Sequence, residues 1–169
     1  DKEAYYDSIV NTIIEIGSAE NFIIALAELI QRLVVDHLHI LGDIYDRGPA
    51  PHFIMDRLMQ YHSLDIQWGN HDVVWMGAAA GSPLCIMTVL KTTLAYNNLD
   101  TLEGGYGISL RQLERFAQST YADSDVSRWI PHADPRTAAG DLTAAAQMHK
   151  AVTVMMLKLE AQVIARNPD

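Results

Sequence analysis

The sequence predicts a partial α/β fold, a small parallel βαβ sheet attached to a large helical portion. Two short apolar runs, DHLHIL (36–41) and LDIQW (64–68), have the length and the bounding turns of strands. Between them, PAPHFIMDRLMQY opens on prolines and sets Ile54, Met55, Leu58, Met59 and Tyr61 at helical spacing. A strand, a turn, a helix and a second strand in so short a span imply parallel neighbours joined by a right-handed crossover. Most of the remaining chain carries a helical pattern.

In chain order, residues 1–35 form a helical lead-in, with one helix over Glu3–Ile16 and a second begun by Ser18 and running to Leu33. Residues 36–96 hold the βαβ unit and its motifs. The uncharged run Val73–Leu90 approaches the length of a membrane span, but Gly81, Ser82 and Pro83 interrupt it. Ser before Pro reads as an N-cap followed by the first helical position, so two buried helices meeting at a turn are expected. Residues 97–169 form a helical extension within the same incomplete domain. NNLDTLEGGYG is a loop, and Ser109 with Gln112 makes a capping box for LRQLERFAQSTY. ADSDVSRWIPHADPRTAAGD is an exposed connection, followed by a helix over Leu142–Arg166. That helix has an apolar stripe, Ala145, Met148, Val152, Met155, Leu159 and Val163, which packs on its own domain or serves as a seam for a homo-oligomer.

At 169 residues and 49% hydrophobic, the chain can bury a real core, which argues against disorder. Twelve Lys and Arg against twenty-one Asp and Glu give a formal charge of -9. Such a field repels nucleic acid and anionic membranes, so neither is an expected partner, and any phosphate must be held by local cations. Cys85 is the one cysteine, read as a small buried apolar side chain and compatible with a reducing cytoplasm. The opening DKEAYYDS has no initiator Met and no basic-then-apolar leader, so it shows no signal peptide and has the look of an excised piece.

The chemistry lies in GDIYDRG (42–48) and GNHD (69–72), each of which follows a strand. Ligands collect outside the carboxyl ends of parallel strands, so both turns should face one crevice. There Asp43 offers a carboxylate able to bridge two cations and Asn70 a neutral carbonyl oxygen, a donor type suited to Mn²⁺, Mg²⁺ or iron. Arg47 presents a planar fork to phosphate oxygens, each charge-assisted bond being worth about 1.5–3 kcal/mol. His71 can protonate a leaving alkoxide if a carboxylate orients its ring, and Asp46 and Asp72 are the two candidates. Cations held there lower the pKa of water toward about 7 and steady both oxygens of an in-line displacement, so phosphoester hydrolysis is the reaction that fits. His37 and His39 share a strand face, but His39 lies about 13 Å along an extended chain from Asp43. They are read as structural or surface residues, as are His52, His62, His132 and His149; Trp68, Trp75 and Trp129 are core or interface aromatics.

Gly-Asp-x-x-Asp-Arg-Gly followed by Gly-Asn-His-Asp resembles the middle signatures of the calcineurin-like metallophosphatase superfamily. The surrounding HILGDIYDRGP, IMDRLMQYHSLDIQWGNHDVVWMGAAAG and NLDTLEGGYGISLRQLERFA are similar to the bacterial class III fructose-1,6-bisphosphatases over most of the chain. The resemblance implies a manganese-dependent gluconeogenic enzyme that removes the 1-phosphate of fructose 1,6-bisphosphate. It implies a bridging metal ligand at Asp43, a second ligand at Asn70, phosphate contact by Arg47 and acid catalysis by His71. The superfamily's upstream Asp-x-His, downstream lone His and Gly-His-x-His are missing here, since Asp36 with His37 has the wrong spacing. The expectation is therefore a central section of a longer cytoplasmic enzyme, with little metal affinity or turnover alone. The rivals are another phosphoesterase, such as a protein phosphatase or a dinucleoside polyphosphate hydrolase, and a non-catalytic oligomerisation or regulatory module.

Overall fold

The structure is a computed structural model that describes residues 2–132 and 142–167. Its architecture is helix-rich α/β, with a two-stranded parallel sheet. The elements are α1 (Lys2–Glu15), α2 (Ala19–Val34), β1 (Leu38–Ile40), α3 (Pro51–Met59), β2 (Leu64–Ile66), α4 (Asn70–Ala79) and α5 (Pro83–Ala95). After a π-helical turn (Thr101–Gly105) come α6 (Arg111–Thr120), a 3₁₀ turn (Ser127–Trp129) and α7 (Thr143–Arg166). Both strands are shorter than the apolar runs suggest. The chain divides into two compact units, Asp1–Ile40 with Tyr61–Asp65, and Leu41–Gln60 with Ile66–Asp169.

In the first unit α1 stops where Gly17 takes φ +71°, a left-handed conformation that costs glycine little. Its N–H donates to Ile14 O and that of Ser18 to Ile13 O, closing the helix end. Ser18 stands at the N-cap of α2, but its side chain makes no capping bond; only its carbonyl enters the helix, accepting from Phe22. The apolar side chains of α2, among them Ile23, Leu29, Ile30 and Leu33, are exposed. The strand pair is joined through Leu38 N–H to Ser63 O at 3.0 Å. His37 and His39 point to one face, as their alternation requires, and both contact Asp65 Oδ1, at 3.0 and 2.7 Å.

The second unit is built on α5, α6 and α7. Leu94 and Val152, both 0% exposed, pack with Ala117, Met148 and Ala151. A second cluster, Val89, Leu102 and Leu110, sits against Val74, Trp75 and Ala78 of α4. The turn between α4 and α5 follows the sequence reading: Ser82 Oγ accepts from Cys85 N, and Pro83 takes the first helical position. Cys85 is partly buried, its Sγ lying where a side chain on Gly77 would go, so glycine lets α4 and α5 approach closely.

Two expectations change. The Ser109–Gln112 capping box does not form: Ser109 Oγ accepts from Arg111 N at 3.5 Å, Glu103 Oε1 from Leu110 N at 3.1 Å, and α6 begins at Arg111 with Leu110 at its N-cap. That turn also replaces part of the loop read in NNLDTLEGGYG. The α7 stripe is buried through Ala145, Met148 and Val152, which supports packing on its own unit, whereas Val163 is exposed. Part of the connection before α7 lies outside the described residues. Among the described residues no helix is long and apolar enough to cross a membrane.

Two measurements probe these contacts. Leu94→Ala should lower stability in urea unfolding by about 2–5 kcal/mol, since the cavity it leaves lies amid three helices. The Asp65 carboxyl is held below its ordinary value, first by its hydrogen bond from His39. A depressed folded value adds stability above the unfolded one and loses it as pH falls through the folded one. His39→Gln should therefore move the Asp65 midpoint upward in an NMR titration.

Candidate active site

Two loops of the second unit meet at the site, Leu41–Ala50 after β1 and Gln67–Gly69 before α4. Their approach depends on glycine. Gly42 takes φ +88°, and a Cβ there would collide with Gln67 O and Gly69 N. At Gly69 a Cβ would strike the Asp43 carboxylate. Asp43 itself adopts φ +53°, a left-handed conformation that Asp tolerates better than most residues.

Asp72, 1% exposed, joins the loops. Its Oδ2 accepts from Asp43 N at 2.6 Å and Gly69 N at 3.0 Å, and its Oδ1 from Tyr45 N at 3.1 Å. Sitting in the first turn of α4, its charge also complements the helix dipole. Asp43 Oδ1 accepts from His71 N at 3.1 Å, which ties the turn to the same helix start. Asn70 lies between Gly69 and His71, exposed at the first position of α4. The sequence thus places Asn70 beside Asp43 through the two residues that flank it.

Asp46 is the carboxylate that faces the histidine. Its Oδ1 lies 2.8 Å from His71 Nε2 and 3.3 Å from Arg47 Nε. This oxygen is buried and makes no aligned hydrogen bond, with the imidazole and the guanidinium as its close polar neighbours. Arg47 also carries its guanidinium 5.2 Å from the centre of the Tyr96 ring, and its carbonyl accepts from Asn98 Nδ2 at 2.7 Å. All the residues singled out from sequence, Asp43, Asp46, Arg47, Asn70, His71 and Asp72, therefore come together, with Asp72 occupied by backbone donors rather than by the imidazole.

Sequence reading missed Tyr45, Tyr96 and Asn98. Tyr96 and Asn98 flank Asn97, whose φ of +55° ends α5 and brings them under the Arg47 turn. The pair of asparagines signalled a helix end, but not what it supports. Tyr45 stacks on Trp75 with ring centres 4.5 Å apart, and its hydroxyl is pushed well above the usual tyrosine range, chiefly by burial and then by Tyr106.

The two loops carry three carboxylates, Asp43, Asp46 and Asp72, with Arg47 ion-paired to Asp46, a charge balance that would suit a divalent cation. Asp43 and Asn70 are the oxygen donors that would hold it, and they suit Mn²⁺ or Mg²⁺. Among the described residues no three His, Cys, Asp or Glu side chains form a metal-holding group. A larger cavity of about 760 Å³ opens beside the turn, but Met55, Trp68, Trp75, Met76 and Val89 make it apolar and unsuited to a bisphosphate.

A profile of the Firmicute fructose-1,6-bisphosphatase family matches residues 1–169. The chain belongs to this family. It is 52% identical over 171 residues to a class 3 fructose-1,6-bisphosphatase of Clostridium beijerinckii, covering 100% of this chain and 26% of that protein. The class 3 enzyme of Porphyromonas gingivalis is 53% identical, and that of Alkaliphilus metalliredigens 52%, each over 99% of this chain and 26% of the relative. The chain thus spans about a quarter of the length of the curated relatives it matches. No solved structure matches it.

The clamp can be tested directly. Asp72→Ala leaves three backbone donors without their charged acceptor and should cost about 2 kcal/mol or more. Amide exchange at Asp43, Tyr45 and Gly69 should accelerate together, while exchange in α7 changes only with global stability.

Proposed function

We propose that this chain is part of a cytoplasmic fructose-1,6-bisphosphatase, a phosphoric monoester hydrolase that removes the 1-phosphate of fructose 1,6-bisphosphate in gluconeogenesis. That the relatives are class 3 fructose-1,6-bisphosphatases supports the substrate. The observation that carries the chemistry is that the His71 imidazole and the Arg47 guanidinium share the Asp46 carboxylate, on the turn that also holds Asp43.

On this reading Arg47 binds the phosphate, its fork held in place by Asp46 and Tyr96 and its backbone by Asn98. Asp46, whose Oδ1 lies 2.8 Å from His71 Nε2, orients the ring. Nδ1 is then the nitrogen that faces the leaving sugar oxygen and gives it a proton. Asp43 and Asn70 hold manganese, with magnesium or iron as alternatives. When bound, the metal supplies an acidified water and polarises the phosphate. Asp72 acts on the reaction by keeping the two loops together.

Phosphate release from fructose 1,6-bisphosphate with added Mn²⁺, measured on the gene product that carries this chain, decides the matter. His71→Asn should lower kcat by about 10²–10⁴-fold with little change in KM, whereas Arg47→Ala should raise KM. The 169-residue chain by itself should show weak Mn²⁺ binding and little turnover. Hydrolysis of a dinucleoside polyphosphate or a phosphoprotein, with the sugar ester untouched, would replace this reading with its nearest rival.

A further inference from the structure

Tyr45 lies inside the turn that carries Asp43, Asp46 and Arg47, and its backbone and ring are both restrained. Asp72 Oδ1 takes its N–H, and Trp75 stacks on its ring. Its hydroxyl meets that of Tyr106 at 2.6 Å, across 61 positions of sequence.

The segment bearing Tyr106 is itself built to hold position. Gly107 N donates to Glu103 O at 3.1 Å and Ile108 N to Leu102 O at 2.8 Å, with Leu102 buried in the core. Glu103 Oε1 closes the next residue pair by accepting from Leu110 N. Gly105 lies so near the buried His52 ring that a Cβ would come within 2.7 Å of Nδ1, so the segment is seated against α3. The Tyr106 ring lies edge-on to His52, the centres 6.0 Å apart, and at the same separation from Trp75.

We propose that Tyr106 is a positioning residue for the phosphate-facing turn, acting through the hydroxyl of Tyr45. The ring contacts of both tyrosines could be made by phenylalanine; the hydroxyl pair is what phenylalanine would remove. Tyr106 is 43% exposed, so losing its oxygen leaves little unsatisfied in the core. The effect falls instead on the turn, where a displacement of about 1 Å in Asp46 or Arg47 weakens everything they hold. The proposal rests on the phosphatase reading only in taking this turn as the phosphate contact.

The test is a cycle of Tyr45→Phe, Tyr106→Phe and the double variant in the gene product that carries this chain. Affinity for inorganic phosphate is the first readout, and kcat and KM for the bisphosphate are the second. Each single change should weaken phosphate binding by about 3–10-fold, the worth of one hydrogen bond. The double variant should be no weaker than the worse single, because the hydroxyls act as one unit. Melting temperatures should stay within about 2 °C of the parent, and the amide signals of Asp46 and Arg47 should shift in Tyr106→Phe. Unchanged phosphate affinity in Tyr106→Phe, or losses that multiply in the double variant, would overturn the assignment. A protein that shows the expected cycle with phosphate yet leaves fructose 1,6-bisphosphate intact supports the tyrosine pair and ends the reading of its function.

Discussion

The buried carboxylate of Asp72 holds the site together, because three backbone N–H groups from two separate loops converge on it. Without an acceptor there, the left-handed turn at Asp43 would have no reason to sit against Gly69, and the glycines that permit the approach would confer only freedom. The arrangement also explains why acidic residues crowd so small a space without driving it apart. One is bound by three backbone N–H groups, a second lies beside a guanidinium and an imidazole, and the third stays exposed. The division follows from geometry rather than from sequence order, since all three occur within the same pair of short motifs.

What was legible in the sequence was local. The strands, the helix between them, the Ser82–Pro83 helix start and the meeting of the two charged motifs all follow from patterns a few residues long. What stayed hidden involves competition between distant groups. Ser109 and Gln112 have the right spacing for a cap, yet Glu103 supplies a charged acceptor from the preceding turn, and the helix starts at Arg111. Asp46 and Asp72 both lie close to His71 in the fold, and nothing in their flanking residues tells which one meets the ring. Tyr45 and Tyr106 occupy unrelated segments, so no periodicity links them.

Charge accounts for much of the division of labour. The chain is strongly acidic overall, and Arg47 is the basic side chain that stands beside Asp46 at the site. The aromatic ring of Tyr96 below the guanidinium, with Asn98 on the adjacent carbonyl, spares that one basic side chain from wandering.

The start of α4 carries a broader implication. Helix N-termini elsewhere often bind phosphate directly through their open amides, but here the protein's own carboxylates already fill that role. The helix field is thereby spent on assembling the two loops rather than left open to a ligand.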